Sequence, residues 1–237
     1  MRDVYRDDQR MEMYETLNVL LRGGFHRAGV YCYWNPESRA PFYIGLAKDL
    51  PTRFAQHNCL KGRRPGNGNK GRQINDWFSQ HERLGFSLVL QEGLADEGHE
   101  PFSRNAEGQL LEGCRRVHGE LPPWNEVGGS RTGAGFVKEN SAGWTELMTG
   151  RRDSLLVARK TIRGLNDDAT AEHYELLIHP ARTGLLHLDG GIDDRAVLRA
   201  LKVVIGWSVT AAPSLYEDLD VRLTEYLEQP APHPEAM

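Results

Sequence analysis

The chain has 237 residues, with 29 Lys and Arg against 33 Asp and Glu, a net charge of −4, and 39% apolar residues. This is an ordinary globular composition, and its slight acidity argues against a surface that coats nucleic acid indiscriminately. The charged start MRDVYRDDQR lacks a secretory apolar core, the apolar run at 203–209 is too short for a bilayer, and three scattered cysteines, Cys32, Cys59 and Cys114, fit a reduced cytoplasm.

Residues Asp8 to Arg22 carry Met11, Tyr14, Leu17 and Leu21 at helical spacing, and Gly23-Gly24 stops that pattern. Gly29 to Trp34 and Pro41 to Ile44 read as two short strands of a hairpin around NPESRAP. Asp49, before Leu50-Pro51, is placed to cap a helix running through His57. A further helix is expected over Arg72–Arg83, a strand over Phe86–Glu92, and a helix from Asn105 or Glu107 to about Gly119, ended by Pro122-Pro123. The glycine-rich VGGSRTGAG, Val127 to Gly135, is the best internal boundary. Beyond it, Ser154–Ile162 and Tyr174–His179 read as strands, Asp193-Asp194 as the cap of a helix through Ile205, and Leu215, Leu219, Leu223 and Leu227 as one face of another. The tail QPAPHPEAM is proline-rich and expected to be disordered.

Charge is unevenly spread. Residues 151–237 carry 10 basic and 14 acidic side chains, whereas residues 1–150 carry 19 of each. Within that neutral part lies KGRRPGNGNKGR, with five basic and no acidic residues. Most such runs are solvated loops, but this one follows a group of residues that carry chemistry, and a local patch binds phosphate whatever the total charge.

Those residues are Gly29-Val30-Tyr31, then Tyr43-Ile44-Gly45, then Arg53 and His57 one helical turn apart, then Glu112 on a helix and Asn125 just past its proline stop. Alone, each has an ordinary structural explanation: strand tyrosines, a solvated helix face, a capping amide. In this order they resemble the GIY-YIG nuclease superfamily, over about Ala28 to Glu126. VYRDD at the start, GAG after the asparagine, Trp144 and Gly150-Arg151 look more specifically like its type II restriction endonucleases. One departure stands out: a lysine often follows the YIG glycine, where this chain has Leu46, and Lys48 is the nearest substitute in sequence.

The resemblance implies an α+β fold, with a three-stranded antiparallel or mixed sheet flanked by helices. It divides the chain into an N-terminal helical segment (1–25), the nuclease domain (26–135), an α+β extension for DNA binding or dimerisation (136–228) and a tail (229–237). It further implies that Glu112 holds Mg²⁺, with Mn²⁺ as substitute, and that Arg53 binds the phosphate. Tyr31 is then the general base, assisted by Tyr43 and His57, and Asn125 orients its neighbours. Double-stranded DNA would be contacted by Lys48, Lys61, Arg63, Arg64, Lys70 and Arg72, with Asn67 and Asn69 as further base readers. Cutting both strands of a palindrome requires two copies, hence a homodimer, and a DNA methyltransferase would be its functional partner. Other readings are a repair or structure-specific nicking nuclease, which a plasmid assay separates, a homing-type enzyme, which would carry a long linker and DNA-binding modules not seen here, and an inactive DNA-binding module, which would bind DNA without cutting it. A zinc site from His57, Cys59, Cys114 and His118 is a rival use of some of the same residues.

Overall fold

The computed structural model describes residues 1–23, 27–60, 70–90, 103–137, 139–151 and 161–167. Among these residues the fold is α+β, a four-stranded antiparallel sheet with seven α-helices. The strands are β1 (Arg2–Arg6), β2 (Gly29–Trp34), β3 (Pro41–Ala47) and β4 (Arg83–Leu90), in the spatial order β1-β4-β2-β3. The helices are α1 (Arg10–Gly23), α2 (Leu50–His57), α3 (Lys70–Phe78), α4 (Ser103–His118), α5 (Arg131–Gly135), α6 (Glu139–Thr149) and α7 (Ile162–Asn166).

The central strand β2, GVYCYW, is buried along its whole length because it pairs with β3 on one side and β4 on the other. Its β-branched and aromatic residues suit that two-sided burial. Tyr31 and Tyr33 point to the face that holds Phe54 of α2, Phe86 and Leu88 of β4, and the apolar side of α1. Gly29 is required for the close approach of β4, since a Cβ there would sit 2.2 Å from the Val89 carbonyl oxygen. Asn35 closes the β2–β3 turn by accepting from the Glu37 and Ser38 amides at 2.8 and 3.2 Å.

The structure adds four features to the sequence expectation. The sheet has four strands instead of three, because β1 pairs with β4 and makes residues 2–6 an edge strand before the helix begins. Asp3 occupies an inward position of β1 and is 3% exposed, its carboxylate held by the Arg163 guanidinium of α7. The buried side of α1 is Met13, Tyr14, Leu17, Leu20 and Leu21, with Met11 turned outward. Within the glycine-rich stretch 127–135, residues Arg131–Gly135 form α5, which packs closely on α4. A Cβ on Gly108 would meet the Ser130 carbonyl at 2.4 Å, and one on Gly133 would meet the Asn105 carbonyl at 2.2 Å. The expected elements at 154–161 and beyond residue 170, including the leucine row 215–227, lie outside the described residues.

Candidate active site

Two strands and a helix build the centre of the site. Strand register sets Tyr31 opposite Gly45 and Tyr33 opposite Tyr43. Gly45 has a clear role in this arrangement. A Cβ there would lie 2.7–2.9 Å from the Tyr43 ring and hydroxyl, so the glycine lets Tyr43 lean across the strand toward Tyr31. Helix α2 then brings His57 against both phenols. Asp49 starts that helix in extended backbone, accepting from the Thr52 amide at 2.7 Å, with Pro51 in the first turn. The Arg27 guanidinium fixes the same carboxylate at 2.8 Å.

The result is a triangle of rings. The Tyr31–Tyr43, Tyr31–His57 and Tyr43–His57 centroids are 5.8, 5.7 and 5.8 Å apart. Tyr31 is 2% exposed, and Tyr43 is half-buried. Burial pushes the Tyr31 phenol well above its ordinary pKa, and the neighbouring Tyr43 pushes it further, against the pull of Arg53. Burial also raises Tyr43, while its hydrogen bond with Tyr31 works the other way. Both shifts favour the protonated phenols, and Tyr43 is the more exposed of the two. His57 is forced down to about 3 by burial and by the charges of Arg53 and Lys70, so its imidazole is neutral. Beneath it, Tyr5 donates to Asn58 at 2.8 Å and Asn58 donates to Tyr33 at 3.1 Å, a buried chain that fixes the floor of the site.

Asn125 meets the cluster through the backbone of β3. Its side-chain amide accepts from the Ile44 N–H at 2.9 Å and donates to the Ile44 carbonyl at 2.8 Å. One residue earlier the Trp124 N–H donates to the Phe42 carbonyl at 2.8 Å. Residues 124 and 125 thus act as a short artificial strand along the free edge of β3, on both sides of Tyr43.

The glutamate that reaches this cluster is Glu107. Its carboxylate accepts from the Leu46 amide at 3.1 Å and acts electrostatically on both phenols. Burial raises its pKa, opposed by that amide bond and by Arg104. Glu112, the residue expected from sequence, is not brought to the phenols. It accepts from Arg115 at 2.8 Å through each oxygen and from Arg116 at 3.1 Å, and the Arg115 bonds lead in lowering its pKa to about 2. Five residues along a helix rotate a side chain by about 140°, which turns Glu112 away from the face that carries Glu107. A signal for Glu107 existed in the sequence: Leu110 and Leu111 follow it at i+3 and i+4, and both are buried.

The remaining candidates divide as follows. Arg53 lies within electrostatic reach of Tyr31, Tyr43 and His57. Lys70 stands with its ammonium 4.6 Å above the Tyr43 ring and donates to the Trp124 carbonyl. Burial lowers its pKa, opposed by Glu126. Lys48 and Arg72 are exposed, and Lys61, Arg63, Arg64, Asn67 and Asn69 lie outside the described residues. Cys114 is buried beside Cys32, its thiol pushed up to about 12 by burial. Among the described residues no three His, Cys, Asp or Glu side chains converge as a metal cage, which leaves the zinc reading without its ligand set. Nor is any described helix long and apolar enough to cross a membrane.

Comparison with protein-family models, curated proteins and solved structures finds no match to this chain. What defines the site is its own geometry: two phenols and a neutral imidazole in contact, two cations beside them, and one half-buried carboxylate on the strand edge.

Proposed function

We propose that the chain is a metal-dependent DNA endonuclease of the GIY-YIG kind, hydrolysing phosphodiester bonds in double-stranded DNA. The observation that carries this reading is the convergence of Tyr31, Tyr43 and His57 from three elements, with Arg53 and Glu107 in electrostatic contact with the phenols. Phosphodiester hydrolysis requires an activated water and positive charge at a phosphorus gaining a fifth oxygen. The cluster contains groups for both tasks.

Arg53 presents a planar fork of donors suited to non-bridging phosphate oxygens. For a phenol to take the proton of the water, the Tyr31–Tyr43 pair must first release one proton to solvent through the outward Tyr43, and the charges of Arg53 and of a bound cation would favour the phenolate that then accepts it. With its imidazole uncharged, His57 orients a phenol or the water and does not act as a cationic acid. Asn125 holds the strand that carries Tyr43. Glu107 is the residue that fits a hard divalent cation: one carboxylate suits Mg²⁺, which keeps several waters and shares phosphate oxygens, and Mn²⁺ fits the same donors. When bound, the ion supplies positive charge beside the scissile phosphate.

The flanking sequence features favour a restriction-type enzyme that cuts both strands at a short palindromic site through a pair of chains. The test is incubation of unmethylated plasmid and phage DNA with the purified protein in Mg²⁺, with mapping of the ends. Discrete double-strand ends are expected, and EDTA should suppress them. Nicked circles alone would favour a repair or structure-specific enzyme. Tight binding of intact DNA in Mg²⁺ would replace the nuclease by a DNA-binding module.

A further inference from the structure

The segment after Gly45 leaves an open question about charge. Leu46 stands where a lysine would follow the glycine, and its amide is engaged by Glu107. Lys48 is on the surface. A cation nevertheless stands over Tyr43, and it comes from another element. Lys70 opens α3, 24 residues beyond Leu46, with its ammonium 4.6 Å over the Tyr43 ring.

Three features make this more than a surface lysine. First, the stem is anchored: the ammonium donates to the Trp124 carbonyl, the residue beside Asn125, so its position is tied to the same strand edge that holds Tyr43. Second, an ammonium has three donor hydrogens, and neither the Trp124 carbonyl nor the Tyr43 π-face competes with a charged oxygen. Third, Lys70 and Arg53 come from different helices, yet both act on the same buried imidazole. Arg53 is exposed and Lys70 partly buried, and two like charges acting on one buried ring repel each other. The arrangement suits an anion received between them. Glu126 lies near Lys70 and Glu107 near the phenols, so the cations are not wholly uncompensated, but neither carboxylate is hydrogen-bonded to Lys70 or Arg53 among the described residues.

We propose that Lys70 is a catalytic residue, its ammonium binding a non-bridging oxygen of the scissile phosphate opposite Arg53 and taking the place that Leu46 cannot fill. The inference rests on the nuclease reading, and its test separates the two. Lys70→Gln keeps a donor for the Trp124 carbonyl and removes the charge, Lys70→Arg keeps the charge, and Lys70→Met serves as a second neutral variant if the glutamine protein does not fold. DNA binding is measured by fluorescence anisotropy on a mixed-sequence duplex in Ca²⁺ across salt concentrations. Cleavage is measured on plasmid in Mg²⁺ under single-turnover conditions.

The neutral variants are expected to flatten the slope of log K against log salt by about one, the loss of one phosphate contact. Their cleavage rate should fall by about 100-fold, the scale for removing one donor to a developing anion. Lys70→Arg should stay within about 10-fold of wild type, as expected for a retained phosphate-binding charge. Wild-type slope and rate in the neutral variants would overturn the inference, and so would a changed slope with an unchanged rate, which describes a peripheral backbone contact. If wild-type protein binds DNA with the steeper slope but never cuts it, the nuclease reading falls and the catalytic role with it, leaving Lys70 as a phosphate contact only. If wild type does not bind DNA, both fall.

Discussion

Replacing Asn125 by alanine removes two hydrogen bonds at a single point. The side-chain amide now accepts from the Ile44 N–H at 2.9 Å and donates to the Ile44 carbonyl at 2.8 Å. Each such bond contributes about 0.5–1.5 kcal/mol net, and an edge residue left with both groups unpaired regains some solvation. The expected loss is therefore about 1–2 kcal/mol, or about 3–6 °C in the melting midpoint of a chain this size. Asn125→Asp keeps an acceptor for the amide but sets a carboxylate against the Ile44 carbonyl, so it should be destabilised at least as much at neutral pH. Thermal and urea unfolding of the three proteins provide the measurement. Because Tyr43 is flanked by Phe42 and Ile44, cleavage should also fall at temperatures where the variant remains folded. An alanine variant melting within 1 °C of wild type, by the conversion used above, would show that the amide does not clamp the strand.

Glu107→Gln should abolish cleavage while DNA binding in Ca²⁺ is retained, whereas Glu112→Gln should cut like wild type. The reverse pattern in a plasmid assay would restore the glutamate expected from sequence. Gly45→Ala places a methyl 2.7 Å from the Tyr43 ring, displacing an outward side chain while leaving the backbone in place. Cleavage should drop by about 10-fold or more with little change in melting, as expected when a reacting group is moved about 1 Å; unchanged activity would mean that Tyr43 need not touch Tyr31. His57 is neutral in the fold with a pKa near 3 and protonates freely when unfolded, so the unfolded chain binds more protons between about pH 6.5 and 3. Stability is thus lost as pH falls through that window, by up to about 2 kcal/mol between pH 7 and 5 from this one group. Urea unfolding at the two pH values should show His57→Gln losing less than wild type, and equal losses would contradict the buried neutral imidazole.

How far the sequence reveals this molecule depends on which residues carry local signals. The β2–β3 hairpin and α2 were legible because their cues are short-range: β-branched and aromatic runs, a turn built on Asn35, and Asp49 followed by Pro51. β1 was not, because one of its two inward positions holds Asp3, a charge in a place where alternation predicts an apolar residue. Only Arg163, 160 residues away, explains its burial. The glycines at 108 and 133 read as flexibility but serve helix contact, a distinction that appears only once α4 and α5 are apposed. Glu112 is the glutamate that the resemblance implies, whereas the carboxylate that reaches β3 in the fold is that of Glu107, five residues earlier on α4.

The edge of β3 explains why the candidate site lies where it does. An edge strand exposes unpaired amides and carbonyls, and these need covering to prevent pairing with another chain. Here the covering is done by the Trp124 amide, the Asn125 side chain and the Glu107 carboxylate, each bonded to a different residue of β3. The groups that seal the strand are thereby fixed beside Tyr43, which leans over Gly45 from that same strand. Lys70 joins the same place by donating to the Trp124 carbonyl. Covering the edge thus brings the Glu107 carboxylate and the Lys70 ammonium to Tyr43 as a direct consequence of folding. The charge arrangement should therefore survive only as long as residues 124 and 125 stay on β3, which makes the Asn125 variants a probe of stability and site geometry together.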